Sequence, residues 1–345
     1  MSLDHPGRTP GKRPIAALAM IPGIDHQLLT EPARAELDLL VELLDESAVD
    51  LAALPDERIG KVEIVLGSWG CNVLDHALLA RMPKLRFLAY AAGTVKHTVT
   101  PATWECGVVV SSAAAANAVP VAEFTFAAVV MIAKDVFRVR DALRATRGRA
   151  AVTGVGPTGE LGTRGMRVGL IGASTIGRLV IERLRTLDVT VAVADPFLEE
   201  DDAQRLGVMR MELDDLFAWS DIVSVHAPDL PSTRHLVDAN CLSRMHDGAW
   251  LINTARGALV DTEALTRECV AGRLNAFIDT PDPEPLPEES PLYELTNVVL
   301  TPHIAGSLGS ELSRMGDLAV SEIRRFVANE SLQHEVRADD LDVIA

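Results

Sequence analysis

The chain has 345 residues, 48% of them hydrophobic, too many for one ordinary core and too few for three full domains, so two domains are expected. Lys and Arg total 32 against 49 Asp and Glu, a formal charge of -17, and a surface that acidic repels phosphate backbones and anionic bilayers, which argues against nucleic acid and membranes as partners. The cysteines Cys71, Cys106, Cys241 and Cys269 stand singly without paired spacing, which fits reduced thiols in the cytoplasm and neither a zinc site nor a disulfide framework.

In chain order, MSLDHPGRTPGKRP (1–14) is polar, rich in Pro and Gly, and reads as a tail. No apolar run is found that approaches the roughly 18 residues of a membrane span. A strand is expected at IAALAMI (15–21), a helix at PARAELDLLVELL (32–44), and strands at KVEIVLGSW (61–69), RFLAYAA (86–92) and GVVVSSA (107–113). That alternation predicts a parallel sheet flanked by helices. Residues 119–147 read as one helical run, apolar on several faces in its first half and charged in its second, suited to packing between domains or subunits. The Gly-rich segment 148–165 reads as an irregular connection into a second alternating unit. Its strands are expected at MRVGLIG, VTVAVAD (189–195), SDIVSVHAP (220–228), GAWLINTA (248–255), LNAFIDT (274–280) and NVVLTPH (297–303), enough for a complete doubly wound sheet. One more helix, at 312–329, is too short a remainder to form its own domain and should fold back on another.

The stretch MRVGLIGASTIGRLV (166–180) carries most of a dinucleotide fingerprint, with Ser174 where the middle glycine is expected. Gly172 would make the tight turn, and Gly177 would let the helix press on the strand. Serine is the next smallest choice, its hydroxyl is free to donate to a phosphate oxygen, and the helix start at Thr175 supplies the positive dipole end. Asp195 closes the following strand, where a carboxylate accepts from ribose hydroxyls, and no arginine follows it to welcome a ribose phosphate. The expected cofactor is therefore NAD(H) rather than NADP(H). The bland reading is a tight Gly-rich turn.

At the carboxyl ends of later strands stand Arg256, Glu284 and His303, where an open α/β sheet places its ligands. The trio suits reduction of a 2-keto acid: the guanidinium clamps the carboxylate, the imidazole donates the proton as hydride arrives, and Glu284 holds the imidazole. Each has a structural alternative: a surface ion pair for Arg256, a core or capping role for His303, and for Glu284 a solvated run in which Asp282, Glu288 and Glu289 compete. Asp279 ends a buried strand and could simply cap a loop. No metal is called for, and His226 is expected to contribute main chain, since no second ligand stands at a useful spacing. Cys71 is expected to be an inert small residue.

The segments NTARGALVDTEAL (253–265), DIVSVHAPDLPSTRHLV (221–237) and IDTPDPEPLPEESPLYELTNVVLTPHIAG (278–306) resemble the signatures of the D-isomer-specific 2-hydroxyacid dehydrogenase family, in its order and spacing. The resemblance runs from about Val62 to the last helix. It implies two doubly wound parallel-sheet (Rossmann-like) domains, with an NAD-binding domain at 113–305 inserted in a discontinuous catalytic domain at 1–112 plus 306–345. It implies Arg256, Glu284 and His303 as catalytic residues, Asp195 as the ribose anchor and Asp279 as partner of the nicotinamide carboxamide. The rest of the implied cofactor site is Gly172, Ser174, Thr175, Ile176, Gly177, Arg178, His226, Ala227, Pro228, Thr254, Ala255, His303 and Gly306. It further implies a small 2-keto or 2-hydroxy acid substrate, hinge closure of a cleft over it, and a homodimer through the nucleotide-binding domains. In the first domain AAGTVKHTV (91–99) stands where the family shows a loop like AGVDHID; Gly93, Thr94 and Val95 remain candidate backbone binders, Lys96 is the departure, and Trp69 is a candidate pocket wall. Two other readings are compatible with the same signatures: an NAD(H)-sensing corepressor or scaffold, and a formate- or phosphite-type dehydrogenase.

Overall fold

The computed structural model describes residues 12–147 and 161–342. The expected tail before residue 12 and most of the 148–165 connection lie outside the described residues. The strands are β1 (Ile15–Ala19), β2 (Glu42–Leu43), β3 (Ile64–Gly67), β4 (Phe87–Tyr90), β5 (Val109–Ser112), β6 (Arg167–Ile171), β7 (Thr190–Ala194), β8 (Met209–Arg210), β9 (Ile222–Val225), β10 (Trp250–Asn253), β11 (Asn275–Ile278), β12 (Val298–Leu300) and β13 (Glu335–Val336). They form two compact units, one comprising the described residues up to Asn117 with Leu308–Asp342, the other Ala118–Ser307.

In the first unit the sheet order is β13-β5-β4-β3-β1-β2, parallel except for the antiparallel β13 edge. Its inner strands β1, β3, β4 and β5 are short, mostly apolar runs buried almost throughout, the pattern a covered parallel sheet requires. On one face Leu18, Ile64, Leu66 and Phe87 pack with Leu37 of helix Glu31–Leu40 and with Met315, Ala319 and Ile323 of helix Leu312–Val327. The last helix thus returns to the first unit. It lies so close to the segment Asp25–Leu28 that a Cβ on Gly316 would overlap the Leu28 carbonyl oxygen at 1.8 Å.

The second unit orders its strands β12-β11-β10-β9-β6-β7-β8, all parallel. Alternate residues feed two cores, one on each face: Ile171, Ala192, Val223, Leu251 and Ile278 enter one, Leu170, Val193, Ile222, Ile252 and Phe277 the other. The order reverses between β6 and β9, the crevice position at which an open α/β sheet binds its ligand.

Several expectations are corrected. The 119–147 run is two helices, Ala114–Ala133 and Val136–Thr146, because Asp135 sits at φ 50 in the left-handed region and breaks the hydrogen-bond ladder. The first of them is long and apolar enough to cross a membrane by length and composition, contrary to the sequence reading. Ala122, Ala128, Val129, Ile132 and Ala133 are instead spent on the second unit's core, and Asn117, Pro120 and Glu123 interrupt the run. The 32–44 helix stops at Leu40, and Glu42–Leu43 pairs with β1. The short edge strands β8 and β13 went unpredicted.

Candidate active site

The turn after β6 is built by close approach. Gly172 holds φ +97, and a Cβ there would stand 3.0 Å from the Ala227 nitrogen and the His226 carbonyl. Gly177 allows no side chain either: its Cβ would meet the Gly172 carbonyl oxygen at 2.2 Å. Ser174 caps helix Thr175–Leu184, its hydroxyl accepting from the Gly177 N–H at 3.3 Å and donating to the His226 carbonyl at 2.8 Å. That corrects the expectation of a hydroxyl free for phosphate. Its one proton is committed across the sheet's reversal point, so the loop offers an anion its backbone amides, with Thr175 and Ile176 ahead of any intrahelical acceptor. A bare cradle at Gly172, a helix N-terminus behind it and a carboxylate at the next strand end fit the dinucleotide that the fingerprint implies.

Asp195 is locked in orientation, Oδ2 accepting from the Ala173 N–H at 2.7 Å and Oδ1 from the Phe197 N–H at 2.8 Å. Arg178 folds back on the loop, donating to the Ala173 carbonyl at 3.0 Å and pairing with Asp202 at 3.6 Å. His226 is buried, with Nε2 2.9 Å from the Ser224 hydroxyl, and burial pushes its pKa down to about 3, so the ring is neutral at physiological pH. Its main-chain carbonyl accepts from the Ser174 hydroxyl, Ala227 follows against Gly172, and the Pro228 carbonyl accepts from the Thr233 hydroxyl at 2.6 Å.

At the next strand ends the trio separates into a pair and a single. His303 Nδ1 lies 2.8 Å from Glu284 Oε1, each side chain about half exposed. Among the acids that competed for this position, Asp282 pairs with Arg234 at 3.4 Å. Arg256, half-buried after β10, donates from Nη1 to the Ala255 carbonyl at 2.7 Å. His303 itself holds φ 55, a conformation that costs a non-glycine residue about 1 kcal/mol. Asp279 sustains it. The fully buried carboxylate accepts from Thr301 Oγ1 at 2.6 Å and the Ile304 N–H at 2.8 Å on Oδ1, and from the Ala305 N–H at 2.9 Å on Oδ2, while its carbonyl takes the His303 N–H. Gly306 follows at the end of this clamped turn. Thr254 is buried, its hydroxyl 2.8 Å from that of Thr125.

In the first unit Trp69 follows β3 and the 91–95 loop follows β4, on one edge of that sheet. Trp69 packs against the unit's core and accepts from the Ile21 N–H at 2.7 Å. The Gly93 carbonyl is held by Ser112 Oγ at 2.6 Å, the Thr94 hydroxyl accepts from the Lys96 N–H at 3.3 Å, and the Val95 side chain is fully buried. What this loop can present at Val95 is therefore main chain. Burial raises the thiol of Cys71 to about 12, which agrees with its reading as inert; Cys241 and Cys269 are likewise raised, to about 11 and about 12. Among the described residues no group of three or more His, Cys, Asp or Glu side chains is placed to hold a metal ion.

Sequence reasoning missed Asn253, Gly257 and Thr301, which shape the turns without being the reactive groups. Their signal in the sequence is their place inside the signature segments 253–265 and 278–306, at or after the ends of strands β10 and β12.

The model of a family described as D-isomer specific 2-hydroxyacid dehydrogenase, NAD binding domain, matches residues 126–305. The D-3-phosphoglycerate dehydrogenase of Mycobacterium leprae is 32% identical over 78% of this chain and 50% of its own length. The (S)-sulfolactate dehydrogenase of Chromohalobacter salexigens is 32% identical over 83% of this chain and 97% of its own. The chain thus spans about half the length of the phosphoglycerate dehydrogenase and nearly all of the sulfolactate one. Among solved structures, the apo D-mandelate dehydrogenase of Rhodotorula graminis superposes with a TM-score of 0.80 at 21% identity, covering 96% of this chain and 99% of that one, and shows the fold.

Proposed function

The chain belongs to the D-isomer specific 2-hydroxyacid dehydrogenase family, and from that premise we propose that it interconverts a small 2-keto acid and its D-2-hydroxy acid, with NAD as the redox partner. The observation that carries the reading is the 2.8 Å contact of His303 Nδ1 with Glu284 on the sheet edge that also bears Arg256. With Nδ1 occupied, His303 has Nε2 to donate to the keto oxygen in reduction and to accept from the hydroxyl in the reverse direction. Arg256 holds the substrate carboxylate and polarises the adjacent carbonyl. Bound NADH supplies the hydride. Residues 113–305 serve as the NAD-binding domain, with Gly172 to Arg178 cradling the pyrophosphate, Asp195 on the ribose, and Asp279, His226 to Pro228, Thr254, Ala255 and Gly306 around the nicotinamide side. Residues 1–112 with 306–345 serve as the substrate domain, through Trp69 and the main chain of Gly93, Thr94 and Val95.

The test is NADH oxidation, followed by absorbance, against glyoxylate, hydroxypyruvate, pyruvate, 2-ketoisocaproate and phenylpyruvate, extended to phospho- and sulfo-substituted keto acids because relatives are named for such substrates. Turnover ranks the side-chain pocket. Tight NADH binding with silence on every keto acid would move the reading to a sensor, and oxidation of formate or phosphite alone would move it to that class.

Asp195 makes a second expectation. A ribose phosphate would sit against its carboxylate, and like-charge juxtaposition costs several kcal/mol, so kcat/KM with NADH should exceed that with NADPH by about 100-fold. Asp195→Asn keeps the shape and removes the charge; it should narrow that ratio at least about tenfold, and an unchanged ratio would remove Asp195 from cofactor selection. The proposed assembly is a homodimer through the NAD-binding domain, supported by Met131, Val136 and Leu143, large apolar side chains left exposed on its first two helices. Sedimentation at micromolar concentration should give twice the chain mass, and a monomer would end that proposal.

A further inference from the structure

Asn253 is the last residue of β10 and is 2% exposed. Its side chain spends both its functions on neighbouring main chain. Nδ2 donates to the Arg256 carbonyl at 2.9 Å and to the Thr280 carbonyl at 3.4 Å, while Oδ1 accepts from the Ala255 N–H at 3.1 Å. A carboxamide suits that position because it is donor and acceptor at once; a carboxylate of the same shape would turn an oxygen toward two carbonyls. The Arg256 guanidinium in turn donates to the carbonyl of Ala255, the residue whose N–H Asn253 holds. Arg256 is therefore tied to Asn253 directly through its main-chain carbonyl, and its guanidinium rests on a residue that Asn253 also holds.

The same turn is keyed to the next one. A Cβ on Gly257 would stand 2.2 Å from the Pro281 carbonyl oxygen and 2.6 Å from the Asp282 nitrogen, so residues 255–257 and 280–282 meet backbone to backbone with no room to slip. The second of these segments leads directly to Glu284, the partner of His303.

We infer that Asn253 is a positioning residue: it fixes the Arg256 turn in register with the segment carrying Glu284, so that the guanidinium and the Glu284–His303 pair address one substrate. The inference rests on the dehydrogenase reading above. Misplacing a binding group by about 1 Å costs on the order of 100-fold in rate. Because Arg256 binds the carboxylate, the loss falls mainly on substrate binding.

Two variants test it, Asn253→Ala and the isosteric Asn253→Asp, with keto-acid KM, kcat and NADH affinity measured separately. Both should raise keto-acid KM at least about tenfold and lower kcat/KM about 100-fold, while NADH affinity stays within about twofold. A role in packing alone predicts that Asp, which fills the same space, keeps the wild-type KM, and that result overturns the inference. Should neither variant fold, Gly257→Ala attacks the same register from the facing side and should give the same KM-selective defect; a wild-type KM there overturns the inference equally. Should the wild-type protein reduce no keto acid, the functional reading fails, and the positioning claim is judged by amide hydrogen exchange. Peptides spanning 254–258 and 280–285 must exchange faster in a folded variant than in wild type, and equal rates overturn it.

Discussion

Replacing His303 with alanine lowers kcat for keto-acid reduction by about two to four orders of magnitude, the range that a positioned general acid contributes. NADH binding, measured by fluorescence without keto acid, changes far less, because the Gly172–Gly177 loop proposed to hold the pyrophosphate follows β6, which β9, β10 and β11 separate from β12, the strand leading to His303. Glu284→Gln should cost less, about tenfold in kcat. Both members of that pair are about half exposed, and water screens a contact of that kind. An alanine variant that kept a tenth of wild-type turnover would take His303 out of the proton transfer. The pair would then be a surface contact, and the acid would have to be sought elsewhere.

The second large effect is expected at Gly177. Its Cβ position lies 2.2 Å from the Gly172 carbonyl oxygen, and that oxygen belongs to backbone fixed by the neighbouring Ala227 and His226, with no side chain able to swing aside. Gly177→Val therefore has to lift helix Thr175–Leu184 away from β6. Overpacking of this kind costs about 1–3 kcal/mol of stability, and the displaced helix start no longer presents its amides to an anion. Calorimetric titration should show NADH affinity down more than about 100-fold, and thermal unfolding should move down by several degrees. Affinity within a few-fold of wild type, with the melting point lowered, would separate the helix from cofactor binding.

The strands that could be read from the chain are those whose own residues demand burial, such as VGLI before Gly172 or WLIN before Thr254, where a continuous apolar run leaves few alternatives. The edge strands Glu42–Leu43, Met209–Arg210 and Glu335–Val336 carry no such demand; their pairing is set by the register of a neighbour distant in sequence. The helix break at Asp135 was hidden for a related reason, since one residue's left-handed backbone leaves no mark on hydrophobic periodicity. In the candidate site, Arg256, Glu284 and His303 could be nominated from the chain because few chemistries use that combination, and the structure brings His303 and Glu284 together. The role of Ser174 was not, because its hydroxyl answers to a carbonyl 52 residues away. Asn253 was passed over for the same cause: a buried amide declares itself only once its partners, Arg256 and Thr280, are in view.

Gly316, pressed against Leu28, carries a consequence for how the molecule is made on the ribosome. The helix that completes the first unit's core is synthesised only after the whole of Ala118–Ser307, which at about 5–20 residues per second takes roughly ten to forty seconds. During that interval Leu37, Ile64 and Phe87 lack the apolar cover that Met315, Ala319 and Ile323 later bring. The inserted unit, continuous in the chain, is free to fold meanwhile, so the order of emergence favours a finished second unit waiting on an open first one. A chain ended at Ser307 and released from the ribosome should accordingly be cleaved by protease in its first unit and spared within Ala118–Ser307.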